Sequence, residues 1–365
     1  MSKKTRVAIL FGGKSAEHEV SLQSAKNVVE AIDKEKYELV LIGIDKNGHW
    51  YLNDASNFLL NENDPKLIKL NRASDHVALV HRQKEEQLVN LSTHRSVAPV
   101  DVVFPVLHGP FGEDGTVQGL LKLADVPFVG ASILGSAVGM DKDVTKRLLR
   151  DAGIPIAQFV VFQSSSLDKI AFEEVEKHLG LPLFVKPNNL GSSVGISKVM
   201  NKNQFEEAIA NAMEYDNKIL IEEYIEGREI ECAVLGNYDP IASVPGEILP
   251  QHDFYSYNAK YIDKNGAILK APAELPEPVV KKVQNLAIKV FKVLCCEGMA
   301  RVDFFLKDDN DLIVNEINTI PGFTKISMYP RLWELSGIPY PELIERLIQL
   351  ALDRFNDEKK LKTSF

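Results

Sequence analysis

The sequence contains little of what marks secreted, membrane-spanning or nucleic-acid-binding proteins. Three of its 365 residues are cysteine and none forms a CxxC pair, so we expect neither a disulfide framework nor a zinc site, and a reducing, cytoplasmic compartment fits. No apolar run reaches the roughly 18 residues of a membrane span, and the basic start is interpreted as leading into a first strand, not as a signal peptide. The formal net charge of −9 argues against a broad nucleic-acid surface.

Two glycine fingerprints of nucleotide-binding proteins are also missing. The segment GGKS at 12–15 resembles the end of a Walker loop, but Ala8 occupies the position where that loop needs its first glycine. The same segment does not form GxGxxG, which argues against a nicotinamide-dependent oxidoreductase built on the first sheet. A nucleotide would therefore have to be bound by other residues.

Apolar strand-like runs and a helical pattern alternate over the first 130 residues. The runs at 6–13, 37–45 and 100–109 predict three strands, and the helical pattern between the first two gives the order expected of a parallel sheet. The polar stretch 53–98 is interpreted as an irregular insertion at the edge of that domain. The predicted fold class is therefore α/β.

The rest of the chain begins with a helix that Asp141 can cap and continues with strands, a glycine-rich loop and closing helices. We expect three domains: an N-terminal domain at 1–130, a central domain at 131–221 and a C-terminal domain at 222–365. The C-terminal domain includes a long polar stretch at 243–275, which predicts a loop of the size that is usually functional.

The C-terminal domain contains a predicted β-hairpin with an unusual arrangement of charges. Two apolar runs flank the turn-forming sequence DDND at 308–311. A turn centred on that sequence places Asp303 opposite Glu316 and Arg301 opposite Asn318. The two-residue alternation of a strand then puts all four side chains on one face.

Facing carboxylates destabilise a sheet unless something neutralises them. Arg301 can do part of this, but two carboxylates and an amide oxygen are also donors that suit Mg2+, which typically binds substrate phosphates as well. The alternative, a solvent-facing strand with chance acids, stays open at this point. The hairpin alone therefore indicates, without deciding, a magnesium site at Asp303, Glu316 and Asn318.

The glycine-rich loop within 183–199 is a candidate phosphate site. Its backbone N–H groups and hydroxyls suit phosphate oxygens, and Lys186 supplies a charge where the preceding strand ends. Lys142 lies at the start of its helix, where an anion is favoured. A flexible hairpin turn would explain the glycines but not a lysine that emerges from an apolar run. The segment 222–225 could hold an adenine edge and Glu229 a ribose, but taken alone these residues are more typical of an ordinary strand-to-strand linker.

Six motifs in order resemble those of the ATP-grasp ligases and, within them, the D-alanine–D-alanine ligase family. The resemblance covers nearly the whole chain and implies three α/β domains, with ATP held between the central and C-terminal ones. The motifs are FGGKSAEHEVSLQSA, LHGPFGEDGTVQG, MDKDVTK, FVKPNNLGSSVGISKV, MARVDFFL and NEINTIPGFT.

The resemblance implies an ATP site and a metal site. It leaves K+ activation open and allows Mn2+ to replace Mg2+. The metal ligands that it implies, for two Mg2+ ions, are Asp303, Glu316 and Asn318. The ATP-binding residues that it implies are Lys142, Lys186, Ser192, Ser193, Glu222, Glu223, Tyr224, Ile225, Glu229, Asn315 and Glu316.

The family's chemistry is ATP-dependent joining of two D-alanine molecules through a D-alanyl phosphate, which supplies peptidoglycan precursors. The protein contributes positioning and neutralisation of charge. The resemblance also implies a cytoplasmic homodimer. The substrate contacts that it implies are Glu17, His108, Lys260, Arg301 and Ser327. The catalytic residues that it implies are Glu17, Ser192, Tyr261, Arg301, Gly322 and Ser327.

Tyr261 bears on the product, because family members that make D-alanyl-D-lactate lack a tyrosine there. It lies in the segment 250–265, which in the family covers the site and keeps water from the acyl phosphate. One departure is Glu223, where the family sometimes has lysine, so the adenine contact there should come from the backbone. The remaining alternatives are an ATP-grasp ligase with another substrate pair, including D-lactate, and a nucleotide-binding regulatory module without turnover.

Overall fold

The computed structural model describes residues 3–62, 64, 67–72, 75–81, 86–165, 170–250, 267–308, 310–324 and 326–362. Its strands are β1 (Thr5–Gly12), β2 (Tyr37–Ile44), β3 (Trp50–Asn53), β4 (Leu59–Leu60), β5 (Lys69–Leu70), β6 (Val77–Leu79), β7 (Leu88–Asn90), β8 (Ser96–Ala98), β9 (Val102–Val106), β10 (Phe159–Gln163), β11 (Leu183–Pro187), β12 (Ser197–Val199), β13 (Lys218–Glu223), β14 (Arg228–Gly236), β15 (Ile241–Ala242), β16 (Gly246–Pro250), β17 (Ala267–Lys270), β18 (Gly298–Lys307) and β19 (Asp311–Asn318). Its helices are α1 (His18–Ala31), α2 (Thr116–Leu123), α3 (Ile133–Met140), α4 (Lys142–Asp151), α5 (Phe172–Leu179), α6 (Lys202–Met213), α7 (Glu277–Val293), α8 (Met328–Leu335) and α9 (Tyr340–Lys359).

The N-terminal sheet is parallel at its centre, as the sequence predicts. Its strand order is β3-β2-β1-β9, with β1 parallel to both β2 and β9 and β3 antiparallel at the edge. Every residue of β1 from Val7 to Phe11 is fully buried. A continuous apolar run of this kind is typical of a parallel strand that is covered on both faces. The strand β1 ends at Gly12 and β9 ends at Val106. The loops that follow these two strands reach the cleft described below.

The stretch 53–98 is more ordered than the sequence predicts. It contains five short strands in two small antiparallel sheets, β4-β5 and β6-β7-β8. Isolated apolar residues such as Leu70, Val77 and Leu88 are buried there. Two or three residues are too few to show the alternation by which a strand is recognised in a sequence. The prediction of an irregular insertion was therefore wrong for these strands.

The central sheet has the order β10-β13-β11-β12 and a core of its own. Val185, Phe205 and Ile221 belong to that core, which is separate from the other apolar clusters. The strand β13 ends at Glu223. A division of the chain that keeps this sheet whole therefore falls after residue 223.

The C-terminal sheet has the order β17-β16-β14-β18-β19. The strands β16 and β17 occupy parts of the stretch 243–275, so the prediction of a loop was wrong at both ends of that stretch. Main-chain pairing with β14 draws β16 into the sheet. Residues 251–266 lie outside the described part of the chain, and with them the predicted cover segment.

The hairpin of β18 and β19 contains both pairs that the sequence predicts, Asp303 with Glu316 and Arg301 with Asn318. Val302, between Arg301 and Asp303, and Phe304, the residue after Asp303, are buried in the core. The face that carries the charged residues therefore points away from the core, which is the condition for a site on this sheet.

A β-bulge in β19 was not predicted. Asp303 lies opposite Glu316, but Phe304 lies opposite Val314 and not opposite Asn315. Asn315 is therefore an extra residue in β19. The bulge shifts the phase of the alternation. Because of it Leu312 and Val314 before the bulge, and Ile317 after it, are all buried.

Packing joins the N-terminal and C-terminal sheets. The ring of Phe104 in β9 packs edge-on against Phe323, with centroids 5.7 Å apart. The buried guanidinium of Arg354 in α9 donates hydrogen bonds to the carbonyls of Gly130 and Phe128, at 2.6 and 2.8 Å. Within the described part of the chain, no helix has the length and apolar character to cross a membrane.

Candidate active site

A cleft brings together residues from the N-terminal region, the glycine-rich loop and the strands β14, β18 and β19. Every predicted catalytic residue within the described part of the chain lines it. Lys260 and Tyr261, predicted in the same set, lie outside that part. The predicted residues that line this cleft are Glu17, His108, Ser192, Glu229, Arg301, Asp303, Asn315, Glu316, Asn318, Gly322 and Ser327.

A second cavity of about 380 Å3 adjoins the cleft. Lys142 is the one predicted ATP-binding residue that does not line it, and this lysine lines a smaller pocket beside Asn315 and Glu316. The cavity and the cleft share residues of the glycine-rich loop and of β19. The predicted ATP-binding residues that line the cavity are Lys186, Ser192, Ser193, Glu222, Glu223, Tyr224, Ile225, Glu229, Asn315 and Glu316.

Three carboxylates form a row across the C-terminal sheet. Glu231 in β14 pairs in register with Asp303 in β18, and Asp303 pairs with Glu316 in β19. Glu231 was not among the residues predicted for the site. All three line the cleft beside Arg301.

The guanidinium of Arg301 is held between two of these carboxylates. It donates two hydrogen bonds of 2.7 Å to the two oxygens of Asp303, and its Nε lies 3.2 Å from Glu231. Burial alone would lower the pKa of Arg301, but the charges of Asp303 and Glu231 outweigh burial and raise this pKa well above its usual value. A fixed positive charge therefore points into the cleft at all working pH values.

The side-chain oxygens beside Arg301 can hold a hard divalent cation only if a bound ligand supplies further oxygen atoms. The amide Nδ2 of Asn318 donates to Asp303 Oδ2 at 3.0 Å, so the amide and both acids of the prediction lie at one end of the hairpin. Among the described residues, no three His, Cys, Asp or Glu side chains come together as a metal centre. Two acids and one amide oxygen are too few to hold Mg2+ alone, but they suit Mg2+ whose remaining sites are filled by phosphate oxygens and water.

The glycine-rich loop lies against both neighbouring regions. The hydroxyl of Ser192 donates a hydrogen bond to the carboxylate of Glu17 at the start of α1. The ammonium of Lys142 donates to the carbonyl of Leu190. Ser192 and Ser193 both have positive φ, at 52° and 59°, an uncommon conformation for residues with a side chain. The loop is therefore held over the cleft by side chains that the sequence predicts as ligand contacts.

Glu222 lines the second cavity with the rest of the segment predicted to hold adenine, and its side chain contacts two lysines. Its carboxylate is buried and lies 2.7 Å from the ammonium of Lys186 and 3.1 Å from that of Lys146. Burial raises the pKa of Glu222, but the two ammonium groups outweigh burial and lower this pKa to about 2. Glu223 also lines the cavity, and its carboxylate accepts a hydrogen bond of 2.7 Å from the N–H of Gln158.

Both ring nitrogens of His108 have hydrogen-bond partners within the protein. Its Nδ1 lies 3.0 Å from the carbonyl of Ile320, and its Nε2 lies 3.2 Å from the hydroxyl of Ser24. Burial lowers the pKa of His108, so the ring is neutral at neutral pH. A neutral ring fits both contacts if Nδ1 carries the proton. Ser24 also accepts a hydrogen bond from the N–H of Phe323. The loop 320–323 is therefore held to this region by two contacts, one at Ile320 and one at Phe323.

The turn at Gly322 is tight, and a larger residue there would have to displace the side chain of Ser327. A Cβ at this position would lie 2.8 Å from the hydroxyl oxygen of Ser327. That hydroxyl accepts a hydrogen bond of 3.0 Å from the N–H of Thr324. The predicted pair Gly322 and Ser327 therefore meets in one compact turn at the start of α8.

Comparison with known proteins identifies the family. A family model described as D-ala D-ala ligase N-terminus matches residues 6–131, and one described as D-ala D-ala ligase C-terminus matches residues 148–349. The chain belongs to the D-alanine–D-alanine ligase family. It is 57% identical to a D-alanine–D-alanine ligase of Oceanobacillus iheyensis, with 99% of each chain covered, and 53% identical to D-alanine–D-alanine ligase A of Escherichia coli, with 99% of this chain and 100% of that one covered.

Solved structures of the D-alanine–D-alanine ligase family share the fold. The D-alanine–D-alanine ligase of Coxiella burnetii is 41% identical, with a TM-score of 0.85 over 98% of this chain and 97% of that one. The VanG D-Ala:D-Ser ligase of Enterococcus faecalis is 37% identical, with a TM-score of 0.84 over 96% of this chain and all of that one. The ATP-grasp fold predicted from the sequence is confirmed, and the chain is a ligase of this family.

Glu113 is a further, partly buried residue at the site of this ligase that the sequence did not single out. Its two oxygens accept hydrogen bonds from the N–H groups of Gly109 and Ile320, at 2.7 and 3.1 Å. Burial and the nearby charge of Glu17 raise the pKa of Glu113 to about 8. An acid in the segment HGPFGED resembles a solvated turn residue, so only the three-dimensional contacts reveal it.

Proposed function

We propose that this chain joins two D-alanine molecules into D-alanyl-D-alanine, with cleavage of ATP to ADP and phosphate, in the synthesis of peptidoglycan precursors. The observation that carries the proposal is Arg301, fixed between Asp303 and Glu231 in the wall of the cleft. Relatives that bear the name D-alanine–D-alanine ligase at 53% to 57% identity support it.

ATP would occupy the second cavity, with its phosphates toward the cleft. Lys186 lines this cavity and Lys142 lines the smaller pocket beside it, and both spaces are bordered by Leu190 and Gly191 of the glycine-rich loop. Both ammonium groups would approach phosphate oxygens there. Asp303, Glu316 and Asn318 would hold two magnesium ions, or manganese in their place, which would neutralise phosphate charge. Ser192 and Ser193 would cover the phosphates with their loop.

The first D-alanine would lie near Glu17, whose carboxylate suits the ammonium group. One carboxylate oxygen of this substrate forms a bond to the γ-phosphorus, and the bond from that phosphorus to the β–γ bridging oxygen breaks. The products of this step are D-alanyl phosphate and ADP. Because the reacting groups carry like charge, fixed cations and exclusion of water are the main contributions of the protein.

The second D-alanine would attack the carbonyl carbon of D-alanyl phosphate with its amine, which has given up a proton. The negative charge that develops on the carbonyl oxygen is stabilised by the guanidinium of Arg301 and the N–H of Gly322. Phosphate then leaves with the electrons of the C–O bond and takes up the proton that the attacking nitrogen loses as the amide forms. Ser327 would bind the carboxylate of this substrate together with Lys260, and Tyr261 would close the site from the cover segment.

His108 would act on substrate indirectly in this scheme. It is fixed to Ile320 and Ser24, so its part is to hold the loop that carries Gly322. We also propose the three domains 1–130, 131–221 and 222–365, with the second boundary moved past Glu223 so that β13 stays whole. A cytoplasmic homodimer completes the proposal, and light scattering of the purified protein would measure the oligomer.

The decisive experiment is phosphate release from ATP in the presence of D-alanine. We expect turnover with D-alanine alone, none with L-alanine, and little mixed product when D-lactate or D-serine competes at neutral pH. Mass spectrometry of the product separates the dipeptide from D-alanyl-D-lactate and D-alanyl-D-serine. Phosphate release without any dipeptide would contradict the proposal.

A further inference from the structure

Lys146 is a buried lysine that the proposed function does not use. Its side chain is 3% exposed, as is that of Glu222, and the two charged groups are 3.1 Å apart. Its ammonium also lies 5.8 Å from the centre of the Phe159 ring. It belongs to α4, one helical turn after Lys142. The structure thus has a third lysine beside the two that were expected to bind phosphate.

Glu222 is shared by two lysines of unequal freedom. The side chain of Lys186 is 12% exposed, lines the second cavity and donates a hydrogen bond of 2.7 Å to Glu222. Lys146 does not line that cavity. One lysine therefore faces the space proposed for ATP, while the other faces only the protein interior.

The net charge of the triad Lys146, Lys186 and Glu222 matters for ATP binding. Two ammonium groups and one carboxylate leave one excess positive charge. To interact with a phosphate, Lys186 has to leave Glu222 at least in part. A buried carboxylate that loses its last partner is strongly unfavourable, but here Lys146 would still neutralise it.

We propose that Lys146 is a positioning residue that keeps Glu222 neutralised and so releases Lys186 to bind the phosphates of ATP. This inference rests on the proposed binding of ATP in the second cavity. It assigns to Glu222 the task of holding Lys186 in place before ATP arrives. Lys146 touches neither substrate nor the reacting atoms.

The test is the affinity for ATP, measured by calorimetry without D-alanine, in Lys146→Met. Glu222 then has only Lys186, and we expect ATP to bind at least about tenfold more weakly. The KM for D-alanine should stay within about twofold of wild type, because the triad does not reach the cleft around Glu17. Lys146→Arg keeps the charge and should recover most of the affinity. Wild-type ATP affinity in folded Lys146→Met would overturn the proposal.

A double-mutant cycle separates positioning from general damage. In Glu222→Gln there is no carboxylate to capture Lys186, so adding Lys146→Met should change ATP affinity by less than about threefold. The double variant has no unpaired buried carboxylate, so it can be measured even if Lys146→Met alone does not fold. Equal losses in both backgrounds would overturn the proposal.

Arg354→Met is the matched control, since it also removes a buried cation but lies in α9, away from the second cavity. We expect it to lower the melting temperature and to leave ATP affinity unchanged. The outcome for wild type separates this inference from the proposed function. A wild type that binds ATP but makes no dipeptide would refute the function alone, whereas dipeptide synthesis with unaltered ATP affinity in Lys146→Met would refute the inference alone.

Discussion

The contacts of Arg301 indicate most directly how the site would stabilise negative charge during the reaction. Arg301 lies in a row of acids that would repel one another without it, and its position between Asp303 and Glu231 leaves little rotational freedom. A guanidinium fixed before the reaction needs no reorganisation when charge develops on a nearby oxygen. The same contacts also make Arg301 part of the stability of the hairpin.

Replacement of Arg301 should therefore affect turnover more than nucleotide binding. We expect Arg301→Met to lower kcat by about 100- to 1000-fold, because one charged donor to the oxyanion is lost. The KM for ATP should change by less than about fivefold. Steady-state phosphate release measures both.

A suitable control for this variant is Arg228→Met, which also removes an arginine paired with a carboxylate, at 2.7 and 2.9 Å from Glu247. Arg228 lies on β14 beside the second cavity and outside the row of three acids. A loss of kcat in Arg228→Met as large as in Arg301→Met would argue that both act through stability.

Glu222 makes a testable contribution to the pH dependence of stability. Its pKa is lowered to about 2 in the folded protein from an ordinary value of 4.5. The contribution is thus fully present above pH 4.5 and is lost as the pH falls toward 2, and its size is roughly 3 kcal/mol. Thermal unfolding of wild type and Glu222→Gln at a series of pH values between 2 and 6 should show the smaller slope in the variant. Parallel curves would mean that the carboxylate is not paired in solution.

At the scale of elements, strands with long apolar runs could be predicted from the sequence, and their ends placed the site. The strands β1 and β2 lie where the apolar runs 6–13 and 37–45 predict them, and the pairing of Asp303 with Glu316 followed from the turn sequence alone. The bulge at Asn315 could not be predicted, because a bulge is a property of two strands together and leaves no local signal. It also explains why Val314 and Glu316, which have the same parity in the sequence, lie in different environments.

The remaining misses have a common physical cause. Lys146 and Glu231 are charged residues that become buried, and Glu113 one that becomes partly buried, only through contacts with distant parts of the chain. Burial of that kind depends on tertiary packing, so spacing along one helix or strand cannot show it. His108, predicted as a substrate contact, lines the cleft, and the contacts of its two ring nitrogens with Ile320 and Ser24 likewise depend on tertiary packing.

The loop that carries Gly322 is tied to the N-terminal region through Ser24. Ser24→Ala removes one hydrogen bond to His108 and one to Phe323, at 3.2 and 3.3 Å. We expect a loss of about 1–2 kcal/mol in the free energy of unfolding and a several-fold lower kcat, because the Gly322 N–H is less well positioned. ATP affinity should stay at the wild-type value, as Ser24 lines neither cavity. Denaturant unfolding and initial rates measure the effect, and an unchanged kcat at reduced stability would make the contact purely structural.

At the scale of the whole molecule, the three sheets are not equally coupled. Aromatic packing of Phe104 against Phe323 and the hydrogen bonds of Arg354 join the N-terminal and C-terminal sheets through a shared core. The central sheet has its own core. Its glycine-rich loop meets the N-terminal region through the hydrogen bond of Ser192 to Glu17. This arrangement favours a central sheet that moves as a unit relative to the other two.

Hydrogen exchange can test that expectation directly. Addition of ATP and magnesium should slow exchange in the loop 188–196, because phosphate contacts with Lys186 and the loop amides would order it. Exchange in β1, whose residues Val7 to Phe11 are fully buried, should be unaffected. Ser192→Ala should exchange faster in the same loop without ATP, since its contact with Glu17 is lost, and ATP should restore most of the protection. Protection that spreads equally through β1 and the loop would instead indicate that all three sheets respond to ATP as one rigid body.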